Sequence, residues 1–414
     1  MHEIDVDAQI KNYWNKFKEL DTNEERIRIW EFDRYGGSTT DFYNPDDEKP
    51  MRLTLFLSFL DTAEIEDVMK TFYKRLKSIK YLKSMALTIV FKKIKGLSDD
   101  GVSNYLKTHS ADAELLHYEQ RPDGSFKIPD GETIRYNVKI RFGSEGIKKI
   151  DKAVLVTICK LGKQLGIDFG DCCGSDAFPV ESVNSDENAE YNGHYKKAGY
   201  KIATTESYGI ETGIVPLVGT VIGINDDEGK ELIPHTQELK KCDIAVKNNY
   251  VDGKYSTVEN IAQAEVIEGT KLHYDIAMNW VYNHNATPDE IQKEYQLFHS
   301  DPDFRIDASL DYMMEFLIRR GHYETVGYML RNEHIAIYEE CPDGYLDEFH
   351  RRNICESENN YIKNDIGLQK AIRRKGEAYI ELQLHLTLLA LHVIALVRLQ
   401  NGIKKNLVST RGLT

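Results

Sequence analysis

Three stretches decide the fold: CGSDAFPVESV at residues 173–183, YKKAGYKIATTESY at 195–208, and GIVPLVGTVIGIN at 213–225, which is followed by the turn DDEG at 226–229. Val, Ile, Tyr and Thr dominate them, side chains that pack well on a pleated surface, and Gly, Asn or Asp bounds each one, so three successive β-strands are predicted. Downstream, PHTQELKK (234–241) reads as a short helix and CDIAVKNNYVD (242–252) as a fourth strand. STVENIAQAEV (256–266) opens on Ser and Thr, a helix start, and reads as the next helix. Strands mixed with helices in this order predict an α/β (α+β mixed) domain whose texture begins near residue 166.

The flanking segments read differently. Residues 1–50 pass from a helix-like stretch into GGSTTDFYNPDDEKP (36–50), the composition of a linker or extended arm. Residues 51–165 carry helical patterning in MRLTLFLSFL, IEDVMKTFYKRLKSI and SMALTIVFKKIKGLSDDGVSNYLKTH. In the last of these, Gly96-Leu97-Ser98 precedes Asp99-Asp100, a turn and a helix start, so both a helix-turn-helix and a generic helical hairpin fit. Residues 276–345 read as a mostly helical insertion, with a start at Thr287-Pro288-Asp289-Glu290 and a stop at Pro342-Asp343-Gly344. Beyond it lie a polar helix around LDEFHRRNICESENNYIK (346–363) and an apolar one at 378–399. Glu381, Gln383, His385, Thr387 and His392 interrupt the latter, which favours a buried core helix over a membrane span. The expected divisions are a 1–50 arm, a 51–165 helical region, a core of 166–275 with 346–414, and a 276–345 insertion.

With 41% apolar and 29% charged residues the chain has the composition of a globular protein rather than a disordered one. Six cysteines without a C-x-x-C pair suit a reducing cytosol, and the charged amino terminus, MHEIDVDAQIKNYW, has no apolar signal segment, so cytoplasmic location is expected. A net charge of −14 would repel nucleic acid, yet it is unevenly spread. From Val68 to Ser98 no acidic residue occurs, while Lys70, Lys74, Arg75, Lys77, Lys80, Lys83, Lys92, Lys93 and Lys95 all do. Such clustering reads as a phosphate-binding surface for DNA or as a solvated helix face.

Chemistry concentrates at Phe349-His350-Arg351-Arg352-Asn353-Ile354-Cys355-Glu356, continuing to Lys363. On a helix advancing about 100° per residue, Phe349, Arg352, Glu356 and Lys363 share one face. A carboxylate is a hard ligand for Mg²⁺ and the two cations suit phosphate oxygens, although a helix face of local ion pairs has the same composition. His385 and His392, seven apart on the apolar helix, lack companion ligands and read as core residues.

The Arg352, Glu356 and Lys363 spacing resembles the Y-x2-R-x3-E-x6-K signature of insertion-sequence DNA transposases, with Phe349 where the tyrosine stands. SDAFPVESVNSDENAEYNGHYKKAGYKI (175–202) resembles that family's first catalytic strand and the segment leading into its second strand, which implies a first carboxylate at Asp176, with Asp168 and Asp171 as alternatives. NNYVDGKYSTVENIA (248–262) resembles the end of its fourth strand, which implies the second at Asp252. The resemblance covers roughly residues 85–260 and 345–400. It implies an RNase H-like catalytic core behind a helical N-terminal DNA-binding region, and an Asp176, Asp252, Glu356 triad holding two Mg²⁺ (or Mn²⁺) ions. Arg352, Lys363 and Phe349 would hold DNA at the transposon end, aided by Lys74, Arg75, Lys77, Lys92, Lys93 and Lys95. Trp280 would either stack on a displaced base or serve the fold. The implied partners are double-stranded DNA, as terminal inverted repeats and as target, and further copies of the chain in a homodimer or larger assembly, with no membrane. The implied reaction is endonucleolytic cleavage followed by strand transfer. A nuclease without strand transfer and a domesticated, inactive DNA-binding protein are the alternatives.

Overall fold

The structure, a computed structural model, describes residues 79–183, 186–277, 280, 282–352, 359, 362–363 and 368–409. It also gives the backbone of two short antiparallel ladders, Phe32–Arg34 with Ser38–Thr40 and Phe42–Asn44 with Lys49–Met51. Met51, where helical patterning is expected to begin, ends the second of these ladders, and residues 52–78 lie outside the described residues.

The three strands read from the sequence form one continuous antiparallel unit. Strand β1 (Cys173–Glu181) pairs along its whole length with β3 (Lys197–Gly209), from Cys173 opposite Ser207 to Glu181 opposite Gly199. A short β2 (Glu190–Asn192) extends the far edge of β3, and β4 (Gly213–Gly223) pairs with β3 beyond it, with a register shift at Thr205/Glu206. On the other side of β1, β5 (Asn248–Val251) runs parallel, and β6 (Lys271–His273) runs parallel to β5. The sheet order is therefore β4-β3-β1-β5-β6, antiparallel on one side of β1 and parallel on the other. The fold is mixed α/β, as its alternating texture predicts.

Helices supply two cores. In the first, α1 (Ile79–Ile94) and α3 (Gly143–Gln164) pack on α10 (Glu377–Gln400), which lies on β4, and α2 (Asp99–Thr108) packs against α1; the same core takes in apolar residues of β1 and β3. Among the described residues α10 is the one helix long and apolar enough to cross a membrane, and 89% of its most apolar window is buried inside the fold. His392 sits in this apolar helix because both ring nitrogens are satisfied: Nδ1 lies 2.6 Å from the Asp151 carboxylate of α3 and Nε2 lies 2.7 Å from the Pro216 carbonyl of β4. The second core joins β5 and β6 to α5 (Val258–Ala262), α6 (Pro288–Gln296), α7 (Leu310–Arg319) and α8 (Glu324–Glu340). α4 (Leu232–Lys241) crosses from β4 toward β5, and α9 (Pro342–Phe349) follows α8.

Helix starts obey local chemistry. Ser98, Thr257 and Thr287 each accept a hydrogen bond from the backbone N–H three residues on, at 2.9, 3.2 and 3.3 Å, capping α2, α5 and α6. The turn at Gly96-Leu97-Ser98 thus separates two helices, α1 and α2. Trp280 is held inside the helical segment, with the Arg331 guanidinium 4.3 Å from its ring and Tyr274 edge-on at 5.9 Å. The five described cysteines are free thiols.

Candidate functional site

Register brings two of the three carboxylates together. Ser175 of β1 is paired with Val251 of β5, the last rung of a parallel ladder, so Asp176 and Asp252 come next, side by side on neighbouring strands. Adjacent strands lie about 4.8 Å apart, so two acidic side chains at this position share one small volume. Asp252 leaves the strand with extended backbone (φ −71°, ψ 158°), and its carboxylate accepts the Gly253 N–H at 2.6 Å, opening the 3₁₀ turn Gly253–Tyr255. Both aspartates are half-buried. They sit between the two cores, with β1 belonging to the first and Val251 of β5 to the second.

Asp176 is also tied to the segment that carries the Arg-Glu-Lys spacing. Asn359 donates from Nδ2 to Asp176 Oδ2 at 2.9 Å, and its Oδ1 accepts from Thr204 Oγ1 at 3.3 Å. Thr204 stands opposite Asp176 on β3 and donates to Glu206 Oε1 at 2.6 Å. Lys363 Nζ donates to the Pro179 carbonyl of β1 at 2.6 Å. Burial, with Lys197 nearby, pulls the Lys363 pKa below its ordinary value. Glu356 lies outside the described residues.

The segment does not continue as one regular helix through its described part. The α-helical backbone of α9 ends at Phe349, His350–Arg352 form a 3₁₀ turn, and Ile362 and Lys363 carry π-type backbone. Its entry is anchored by Glu348, which accepts the Tyr250 hydroxyl of β5 and lies 3.4 Å from Arg351. Asp168 and Asp171, the alternative first carboxylates, precede β1 and share Lys247, at 2.8 and 3.2 Å.

A buried polar network underlies the pair on the other face of the sheet. Ser175 is bonded to Thr205 at 2.8 Å and to Asn249 at 3.0 Å, and His235 of α4 bridges Thr205 (3.0 Å) and Thr220 (2.9 Å). Burial, reinforced by Lys148, pushes the His235 pKa down to about 4, so the imidazole is neutral. Buried polar residues must be paired in this way, which explains how Ser175 of β1 and Thr205 of β3 are accommodated in the middle of the sheet.

Three residues beside the aspartates escaped sequence reasoning: Glu228, Lys254 and Tyr195. Glu228 is buried in the turn after β4, where Lys201 of β3 and Lys254 both reach its carboxylate, the latter at 2.8 Å. Tyr195, in the turn between β2 and β3, has its pKa raised, by burial first; Lys254 opposes that rise, and the charges of Glu228, Asp176 and Asp252 add to it. Each of the three is an ordinary turn or strand residue in the sequence, and only their convergence marks them.

Of the predicted basic cluster, Lys74, Arg75 and Lys77 lie outside the described residues. The described members are engaged locally. Lys92 meets Asp99 at 2.6 Å, Asp99 also lies 3.3 Å from Arg135, and Lys95 stands over the rings of Phe91 and Tyr105 at 5.7 and 5.2 Å. Burial, with Lys92 beside it, lowers Lys93 to about 8.

Two adjacent carboxylates suit a hard divalent cation, which takes oxygen ligands. Among the described residues no group of three His, Cys, Asp or Glu side chains is arranged to hold a metal ion. The sequence matches no protein-family model, and no curated protein matches it.

Proposed function

We propose that this chain is a DNA transposase of the insertion-sequence type with an RNase H-like core, working on the ends of a mobile element. One observation carries the reading: Asp176 and Asp252 are neighbours across the β1/β5 ladder, and Asn359 and Lys363, from the Arg-Glu-Lys segment, bond to Asp176 and Pro179 of the same strand. The sheet order supports it. β1, β3 and β4 form an antiparallel unit and β5 and β6 run parallel beyond β1, with Asp176 on β1 and Asp252 just past β5, an arrangement compatible with such a core.

Asp176, Asp252 and Glu356 would hold two Mg²⁺ or Mn²⁺ ions, which when bound activate the attacking oxygen and stabilise the leaving one. Asn359 donates to one oxygen of Asp176 and helps to orient that carboxylate. Lys363, whose ammonium has further N–H groups besides the one given to Pro179, and Arg352 bind phosphate oxygens. In the first step a water oxygen bonds to phosphorus at the element's end and the 3′-oxygen leaves as a hydroxyl. In the second that hydroxyl attacks a target phosphodiester, forming one P–O bond and breaking another, with no covalent protein intermediate. The substrate is double-stranded DNA, and work on paired ends implies a dimer or larger assembly.

The test is nicking of supercoiled plasmid with Mg²⁺ or Mn²⁺, together with joining of labelled DNA from the ends flanking the reading frame. Asp176→Ala, Asp252→Ala and Glu356→Ala should each slow processing by about 10²–10³-fold or more, the scale lost when transition-state charge stabilisation is removed. Unchanged processing in all three would overturn the assignment, and cleavage without joined product would favour a nuclease.

A further inference from the structure

Glu228 is nearly fully buried, yet it carries two lysines. Lys201 approaches from β3, with side-chain exposures of 4% and 7% for the pair, and also donates to the Asp226 carbonyl. Lys254 approaches from the other side and keeps 57% of its side chain exposed. A buried ion pair contributes little to stability compared with apolar side chains of the same volume, because desolvation offsets the attraction. What this one does is set the position of a third group: it holds the Lys254 ammonium two residues past Asp252, at the rim of the candidate site. The triad of two cations and one anion leaves one positive charge facing outward.

Tyr195 is held against the same wall by backbone contacts. Its N–H donates to Asn192 Oδ1 at 3.0 Å, and Asn192 Nδ2 in turn reaches the Ile224 carbonyl (3.3 Å) and Asn225 Oδ1 (2.9 Å), in the loop that leads to Glu228. The next residue, Lys196, adopts a φ of +53°, a left-handed conformation that a side-chain-bearing residue accepts only where its surroundings impose it. The charges of Lys254, Glu228, Asp176 and Asp252 all act on the Tyr195 phenol.

A pair of carboxylates alone repels a phosphodiester. An ammonium and a phenolic O–H beside them supply the donors that an incoming phosphate oxygen needs. We infer that Lys254 and Tyr195 form a phosphate-binding wall for the DNA strand at Asp176 and Asp252, and that Glu228 and Lys201 are the positioning residues that hold Lys254 there. This rests on the transposase reading and extends it to residues outside the Asp-Asp-Glu set.

The experiment is plasmid nicking by the full chain, titrated with DNA over a range of NaCl concentrations. Lys254→Met should raise the half-saturating DNA concentration about 10-fold and reduce the slope of log affinity against log salt by about one, the value of a single lost phosphate contact. Lys254→Arg should restore most of both. Tyr195→Phe, which keeps the ring and removes only the hydroxyl, should raise half-saturation several-fold with the salt slope and melting temperature unchanged. Half-saturation and salt slope that stay at wild-type values in Lys254→Met and Tyr195→Phe, while Asp176→Ala abolishes nicking, would overturn this inference alone. A wild-type chain that neither binds nor nicks DNA would overturn the reading beneath it as well.

Discussion

Acidification should loosen the sheet from beneath the candidate site, and His235 makes the effect measurable. The imidazole is 3% exposed and is bonded through both nitrogens to Thr205 and Thr220. Burial, with the positive charge of Lys148, holds its pKa at about 4 against an ordinary 6.5. Proton uptake gives the sign. Between these two values the unfolded chain binds a proton that the folded chain refuses, so the stability from neutral His235 is fully present above 6.5 and drains away as pH falls toward 4. At about 1.4 kcal/mol per pH unit, that interval is worth about 3 kcal/mol. Urea unfolding of the wild type and of His235→Gln at pH values of about 7, 5.5 and 4 tests it, since carboxylates titrate alike in both proteins and cancel in the difference. His235→Gln should be less stable at neutral pH, and its deficit should close by about 3 kcal/mol as the pH falls. Parallel pH curves for the two proteins would refute the reasoning and mean that His235 is not held neutral by the fold.

His392 has the opposite sign: burial lowers its pKa, but Asp151 and the Pro216 carbonyl outweigh burial and raise it, so the contribution of the pair is present below 6.5 and is lost as pH rises through the raised value. Asp151→Asn should therefore cost most near pH 6, about 3 kcal/mol, and least in alkali, as read by urea unfolding. At Gly327, where α8 crosses α5, an added Cβ would lie 2.2 Å from the Val258 carbonyl. Gly327→Ala gains about 1 kcal/mol of helix propensity and loses about 1–3 kcal/mol to overpacking against backbone, so a lower melting temperature is expected. Asn359→Ala, which removes the hydrogen bond to Asp176 Oδ2, should slow nicking about 10-fold, while Asn359→Asp, which sets a like charge beside Asp176, should slow it further; equal rates for the two variants would mean that Asn359 does not orient the aspartate.

Much of the fold was legible because it is written in local chemistry. Caps at Ser98, Thr257 and Thr287, strands at 173–181, 197–209 and 213–223, and the apolar run of α10 each depend on a few adjacent side chains. The three-residue β6 escaped notice, since so short a strand has no periodicity and exists only because β5 offers it a parallel edge. The stretch from Phe349 to Lys363 reads as one helix by spacing, yet α9 stops at Phe349 and tightens into a 3₁₀ turn at the point where Glu348 and Arg351 gather around Tyr250. The basic run was legible as composition, but spacing along a chain does not reveal that Lys92 faces Asp99 of its own protein.

By itself the sequence determined the long strands and most of the helices, which helix is apolar enough to lie in a core, and that Asp252 ends a strand. These properties depend on neighbours within a few residues. Only the tertiary structure decided that Asp176 and Asp252, 76 positions apart in the chain, come side by side, that Asn359 bonds the first, and that Glu228 pairs with Lys254, two residues past the second. Register across a parallel ladder is set by the packing of two cores on either side of it. No stretch of sequence encodes that packing alone.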